Sequence, residues 1–180
     1  MAATDHFTLN SHEEQTTYTM KVTLPRSTMS DQDILRFVTR IKIPNFRGVR
    51  MRDELAGTSP RYNECGVLNL ETHSQQGTHW TCWFKEGKDR YYFDSYGEPP
   101  PLEMIKYLKT GNELKNDKPV IKRSAVTVQQ DESSECGALC LYVLKKLSDG
   151  FLFPVILEGL LKRYDGPPAA ACRRRLVIQL

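Results

Sequence analysis

The sequence has no apolar run of about 18 residues, the length a membrane-spanning helix needs, so no membrane association is expected. It has no Cys-x-x-Cys pair, and its five cysteines are an odd number, which does not suit a closed disulfide framework. Residues 1–6 carry no basic stretch followed by an apolar core. No secretory signal is therefore expected there, and the thiols are expected to be reduced, in cytosol or nucleus. The net charge is only +3, too small to demand a nucleic-acid partner. No internal repeat or long linker interrupts the chain. What is present is 180 residues, 39% hydrophobic and 26% charged, which suits one globular domain with a real core.

One stretch organises the rest. Polar residues 129–135 run into Cys136-Gly137-Ala138-Leu139-Cys140. From there Leu139, Tyr142, Val143 and Leu147 recur at helical spacing. Cys136 stands where that pattern begins. At a helix N-terminus a cysteine faces unpaired N–H groups and the positive end of the dipole, which favour its thiolate. Gly137 beside it lets a backbone approach closely. Taken alone, the same feature also describes a buried structural cysteine.

Upstream, Ser30-Asp31-Gln32-Asp33 has the form of a capping box, with Asp in place of Glu, opening a helix whose apolar face is Ile34, Leu35, Val38 and Ile41. Arg36, Arg40, Lys42, Arg47, Arg50 and Arg52 make a basic stretch, with Phe46 and Arg47 in a following loop. It is a candidate surface for DNA or an acidic partner; a solvated helix face with a basic loop is the plain alternative. Strands are expected at 65–70, 79–85, 90–94 and 120–128, with helices at 102–108 and 151–164. The two central strands flank Glu86-Gly87-Lys88-Asp89 and form an antiparallel hairpin. Pairing about its centre matches residue i with about 175−i, so His79 lies opposite about 96. Asp94 is then a diagonal neighbour, roughly 5–8 Å away between Cβ atoms. A carboxylate there can hold the imidazole's tautomer.

His79, Asp94, Gln129 and Cys136 together have a chemical sense. A thiol needs a base at neutral pH, the base needs an orienting carboxylate, and an acyl intermediate needs donors for its oxyanion. A glutamine amide and the Cys136 backbone N–H would supply two. Such chemistry needs no metal or organic cofactor. A metal site on Cys136, Cys140 and His79 lacks the remaining ligand spacing.

Gly77-Thr78-His79-Trp80, Tyr92-Phe93-Asp94-Ser95-Tyr96-Gly97, Val128-Gln129 with Ser133, and Cys136-Gly137-Ala138-Leu139-Cys140 occur in the order that marks one family. In these strings the chain resembles the adenovirus-type (adenain-like) cysteine endopeptidases, whose wider clan includes proteases of SUMO and other ubiquitin-like proteins. Phe46-Arg47-Gly48-Val49 and Glu98-Pro99-Pro100 bring it nearest to proteases of Maverick/Polinton-type elements and related viruses.

The resemblance covers about residues 30–160. It implies His79 as general base, Asp94 as orienting acid, Cys136 as nucleophile and Gln129 as oxyanion donor. Gln130 matches the spacing of the SUMO proteases instead. Trp80 and Gly137 are implied as the walls of a narrow substrate cleft. The implied fold is α+β: a mixed, mainly antiparallel sheet packed on the Cys136 helix. The implied division is an N-terminal extension (1–28), a protease domain (29–166) and a basic tail (167–180). The family relation further implies a monomer that cleaves capsid or core precursor polypeptides near glycine, in the virion or host nucleus or cytoplasm. Stimulation by DNA or a viral peptide also comes with the family. Two other readings stay open: removal of ubiquitin-like proteins from host conjugates, and a non-catalytic DNA-binding virion protein of the same fold.

Overall fold

A computed structural model of the chain describes residues 20–111, 118–130, 133–164 and 175–180. Its elements are β1 (Lys21–Thr23), α1 (Asp31–Arg40), β2 (Phe46–Met51), β3 (Asn63–Asn69), β4 (Trp80–Glu86), β5 (Asp89–Phe93), α2 (Leu102–Leu108), β6 (Ile121–Arg123), α3 (Cys136–Ser148), α4 (Phe153–Tyr164) and β7 (Val177–Gln179). The fold is α+β.

The β4–β5 hairpin sits inside a mixed sheet of order β2-β3-β4-β5-β6. The β3/β4 and β4/β5 pairs are antiparallel, and the outer β2/β3 and β5/β6 pairs are parallel. Glu86 pairs with Asp89 and Lys85 with Arg90, so each pair sums to 175, as the turn position requires. Gly87 takes φ +56° at that turn, a left-handed conformation that glycine adopts without Cβ strain.

Side chains alternate across the sheet with period two. Cys65, Val67, Cys82 and Phe93 join the core under α1, α3 and α4, while Leu68, Trp83 and Tyr92 pack against Met104, Tyr107 and Leu108 of α2. Trp83 stands directly opposite Gly66, and a Cβ there would lie 2.2 Å from the indole. Glycine is what lets the ring lie flat across β3.

The capping box forms as read: Ser30 Oγ accepts from the Asp33 N–H, and the Asp33 carboxylate accepts from the Ser30 N–H at 3.0 Å. Ile34, Val38 and Ile41 are buried, but Leu35 is exposed, because it falls just outside the stripe that faces α3.

Three further expectations change. Phe46 and Arg47 belong to a strand, β2, not a loop, because β3 offers a parallel partner. The strand expected over 120–128 stops at Arg123. There the Ser124 N–H still donates to the Tyr92 carbonyl at 3.1 Å, but its Oγ takes over beside Asp94, accepting the Asp94 N–H at 3.0 Å and donating to the Asp94 carbonyl at 2.8 Å. Finally, β1 and β7 pair antiparallel, with Val22, Leu24, Leu176 and Ile178 in the main core. The packed domain thus reaches past both boundaries drawn at 28 and 166, while residues 1–19 and 165–174, including Arg173 and Arg174, lie outside the described residues.

Candidate active site

Cys136 is the first residue of α3, and its side chain is 7% exposed at the end of a cleft. The residue before it, Glu135, turns its buried carboxylate away toward Arg163 (2.8 Å) and Arg26 (3.3 Å). That keeps a negative charge off the sulfur.

His79 immediately precedes β4, and Asp94 immediately follows β5. Asp94 lies one step beyond Phe93 and His79 three beyond Cys82, the last residues that pair the two strands. His79 Nε2 meets Asp94 Oδ2 at 3.1 Å. The other carboxylate oxygen, Oδ1, accepts the Tyr96 N–H at 2.7 Å. Asp94 is fully buried and both of its oxygens are engaged, so it holds one orientation. With Nε2 turned to Asp94, Nδ1 is the ring nitrogen left to face Cys136, which helps to raise the His79 pKa. Tyr96 lies against the imidazole, with ring centroids 5.1 Å apart.

The electrostatics follow from these contacts. Burial works against a charged His79, but the hydrogen bonds to Asp94 and Cys136 prevail and raise its pKa to about 9. Burial likewise opposes a Cys136 thiolate. Hydrogen bonds from His79 and from the backbone N–H groups of Trp80 and Gly137 outweigh it, so the thiol pKa falls below its ordinary value. Both shifts run toward a thiolate facing an imidazolium. The other described cysteines are buried, and burial raises the pKa of Cys65 and Cys140 instead. Cys140 Sγ points to the Trp80 carbonyl at 3.4 Å, inside the core.

A pH profile follows with a definite sign. The imidazolium is stable up to about 9, so the ion pair is lost on the alkaline side as His79 deprotonates there. Hydrolysis of a peptide substrate should hold a plateau through neutral pH and fall through about 9. Asp94→Asn removes the strongest hydrogen bond raising that pKa, so its alkaline limb should move to lower pH. The measurement is kcat/KM against pH for both proteins.

Gln129 is 5% exposed, and its amide binds Ser133 of the loop before α3 and Tyr96 beside His79. Gln130 is exposed, so of the two adjacent glutamines only Gln129 has its side chain buried among these groups.

Trp80 lines the cleft, with its Nε1–H donating to the Met29 carbonyl at 2.8 Å. Gly137 is not on the cleft surface. It lies beneath Met29 and Trp80, where an added Cβ would meet both at 3.2–3.3 Å. The cleft, of about 730 Å³, runs from Cys136 between Thr28–Asp33 and Val49–Met51, over Asn69, Gly77 and Thr78.

The basic residues do not share a face. Arg36 is paired with Asp33 on α1, and Arg40 and Lys42 are exposed. Arg47 turns inward toward the buried Glu64 at 3.7 Å, because that carboxylate draws a cation. Arg50 lines the cleft, and Arg52 Nε is buried without a hydrogen-bond partner among the described residues. Ser95, Tyr96, Ser133 and Met29 were not singled out as site residues from sequence. The contacts of Ser95, Tyr96 and Met29 with Gln129, His79 and Trp80 join distant parts of the chain, whereas Ser133 is only four residues from Gln129.

No family model matches the sequence, and no similar curated sequence is found. Among solved structures, the ASFV pS273R protease superposes with TM-score 0.51 at 19% identity, over 79% of this chain and 68% of that one. Its Se-Met form gives 0.49 at 18%, over 79% and 69%. The SUMO protease Ulp1 with its catalytic cysteine oxidized to a sulfinic acid gives 0.45 at 17%, over 76% and 75%. The first of these shows that the chain shares the fold of that protease.

Proposed function

We propose that this chain is a cysteine endopeptidase that cleaves virion precursor polypeptides at small-residue sites near glycine. The observation that carries the reading is the buried Cys136–His79–Asp94 constellation at the end of an open cleft. The Cys136 thiolate attacks the scissile carbonyl carbon, and the carbonyl π pair moves to oxygen. The backbone N–H of Cys136 and a Gln129 N–H are the donors for that oxyanion. Collapse expels the amine, which takes the proton from the His79 imidazolium. A water then gives its proton to His79 and attacks the thioester, releasing the acid and restoring the thiol pair. Trp80 and Met29 crowd the cleft beside the sulfur, which supports slim residues at the cleavage site. Arg36, Arg40 and Lys42 are the outward cations through which DNA would stimulate the enzyme.

The test begins with a thiol-directed electrophile at about pH 6–7, where only a perturbed thiol is substantially ionised. Mass spectrometry should place the adduct on Cys136, and His79→Ala should slow its formation. Capsid-precursor peptides with glycine at the cleavage site should then be hydrolysed, and matched peptides with a bulky residue there should not. Equal, slow labelling of every thiol would sink the reading. Turnover of ubiquitin-like Gly-Gly conjugates in place of the precursor peptides would move the substrate to the other branch of the clan.

A further inference from the structure

We infer that Ser95 is a positioning residue whose hydroxyl fixes the Gln129 amide so that one of its N–H groups serves the oxyanion. This rests on the protease reading above.

The Gln129 amide has three polar neighbours. Ser95 Oγ donates to Oε1 at 2.7 Å, and Nε2 donates to the Ser133 carbonyl at 2.6 Å and to the Tyr96 hydroxyl oxygen at 3.2 Å. An amide turned by 180° would set Oε1 against the Ser133 carbonyl, two acceptors face to face in a buried site. The Ser133 carbonyl selects the observed orientation, and the Ser95 hydroxyl, donating to Oε1, holds the amide in place within it. Ser95 is itself fully buried, and its own carbonyl accepts the Val128 N–H at 2.8 Å, so both chains beside the amide are pinned together.

The two Nε2 hydrogens are not equivalent. The bond to Ser133 is short and anchors the group, whereas the bond to Tyr96 is long and is the one an oxyanion displaces. Tyr96 lies against the His79 ring, so that second hydrogen is on the base side of the site. When the thiolate attacks, the carbonyl oxygen gains the electron pair and replaces the phenol as acceptor. No proton moves in that exchange.

The experiment is a double-mutant cycle on peptide hydrolysis with Ser95→Ala, Gln129→Ala and both, alongside the rate of Cys136 alkylation. Loss of an oxyanion donor costs about 10²–10³-fold in kcat, so disordering one should cost about 10-fold. Ser95→Ala should lower kcat by that amount with KM little changed, and should add no further loss once Gln129 is alanine. Alkylation needs the thiolate but no oxyanion, so its rate should match wild type. Should Ser95→Ala fail to fold, Ser95→Cys keeps the shape with a weak donor and should show a smaller kcat loss of the same kind.

An equal loss in both backgrounds, an unchanged kcat, or slowed alkylation would overturn the positioning role. Slowed alkylation would mean that the hydroxyl merely supports the Asp94 turn. A wild type that neither hydrolyses peptides nor alkylates selectively at Cys136 would remove the protease reading, and this inference with it.

Discussion

Cys136→Ala is expected to abolish peptide hydrolysis, and His79→Ala to lower kcat/KM by roughly 10⁴-fold or more, the scale on which members of one catalytic unit act. Both effects trace to one ion pair. Burial alone would hold the Cys136 thiol protonated, and His79 is the first contact that opposes it. Without the imidazole, the thiolate fraction at neutral pH collapses and the departing amine has no proton donor. Steady-state kinetics on a purified precursor peptide reads the loss. The Cys136→Ala midpoint should stay near wild type, whereas His79→Ala leaves the buried Asp94 carboxylate without its imidazole and should lower it. A large fall in the Cys136→Ala midpoint would point to damage of the fold. Comparable residual activity in both variants and wild type would place the nucleophile elsewhere.

The largest effect on stability is expected far from the cleft, at Glu64, which is 1% exposed on the α2 side of the sheet. Its Oε1 accepts from Trp83 Nε1 at 2.8 Å and from the Tyr107 hydroxyl at 2.6 Å. Its Oε2 accepts the Arg61 N–H at 2.7 Å and faces Arg47 at 3.7 Å. Glu64→Ala would strand an indole N–H, a phenol and a half-buried guanidinium at once. Removing one member of a buried charged pair costs about 3–5 kcal/mol. For a chain of this size that is a fall in Tm of roughly 6–20 °C. Calorimetry or denaturant unfolding measures it. Glu64→Gln, which keeps an acceptor for Trp83 and Tyr107, should recover part of the loss. A Tm within a degree or two of wild type would mean that water replaces the carboxylate.

Much of this arrangement was legible in the sequence wherever the determinants are local. The helix at Cys136 begins at the residue where its apolar spacing begins. The hairpin register followed from the centre of the Glu86-Gly87-Lys88-Asp89 turn, and with it the meeting of His79 and Asp94. The capping box at Ser30 formed for the same reason, because its partners are three residues apart. What was not legible depends on distant partners. β2 carries charges and half-buried residues without alternation, so Phe46 to Met51 resembles a loop until β3 lies beside it and Glu64 takes up Arg47. The strand β7 is short and becomes recognisable only through its partner β1. Two contacts of Gln129 belong to the same class: Ser95 and Tyr96 reach it only once the turn after β5 is laid against the loop before α3.

The base and its carboxylate are carried by one hairpin and are 15 residues apart in the chain. Contacts that close so short a loop form early during folding, whereas docking α3 onto β4 must close a much longer one. A nascent or partly folded chain can thus possess the imidazole–carboxylate pair while its thiol remains an ordinary, protonated cysteine. The surroundings of Cys136 are completed only when α3 docks on β4, late in the order that loop lengths set.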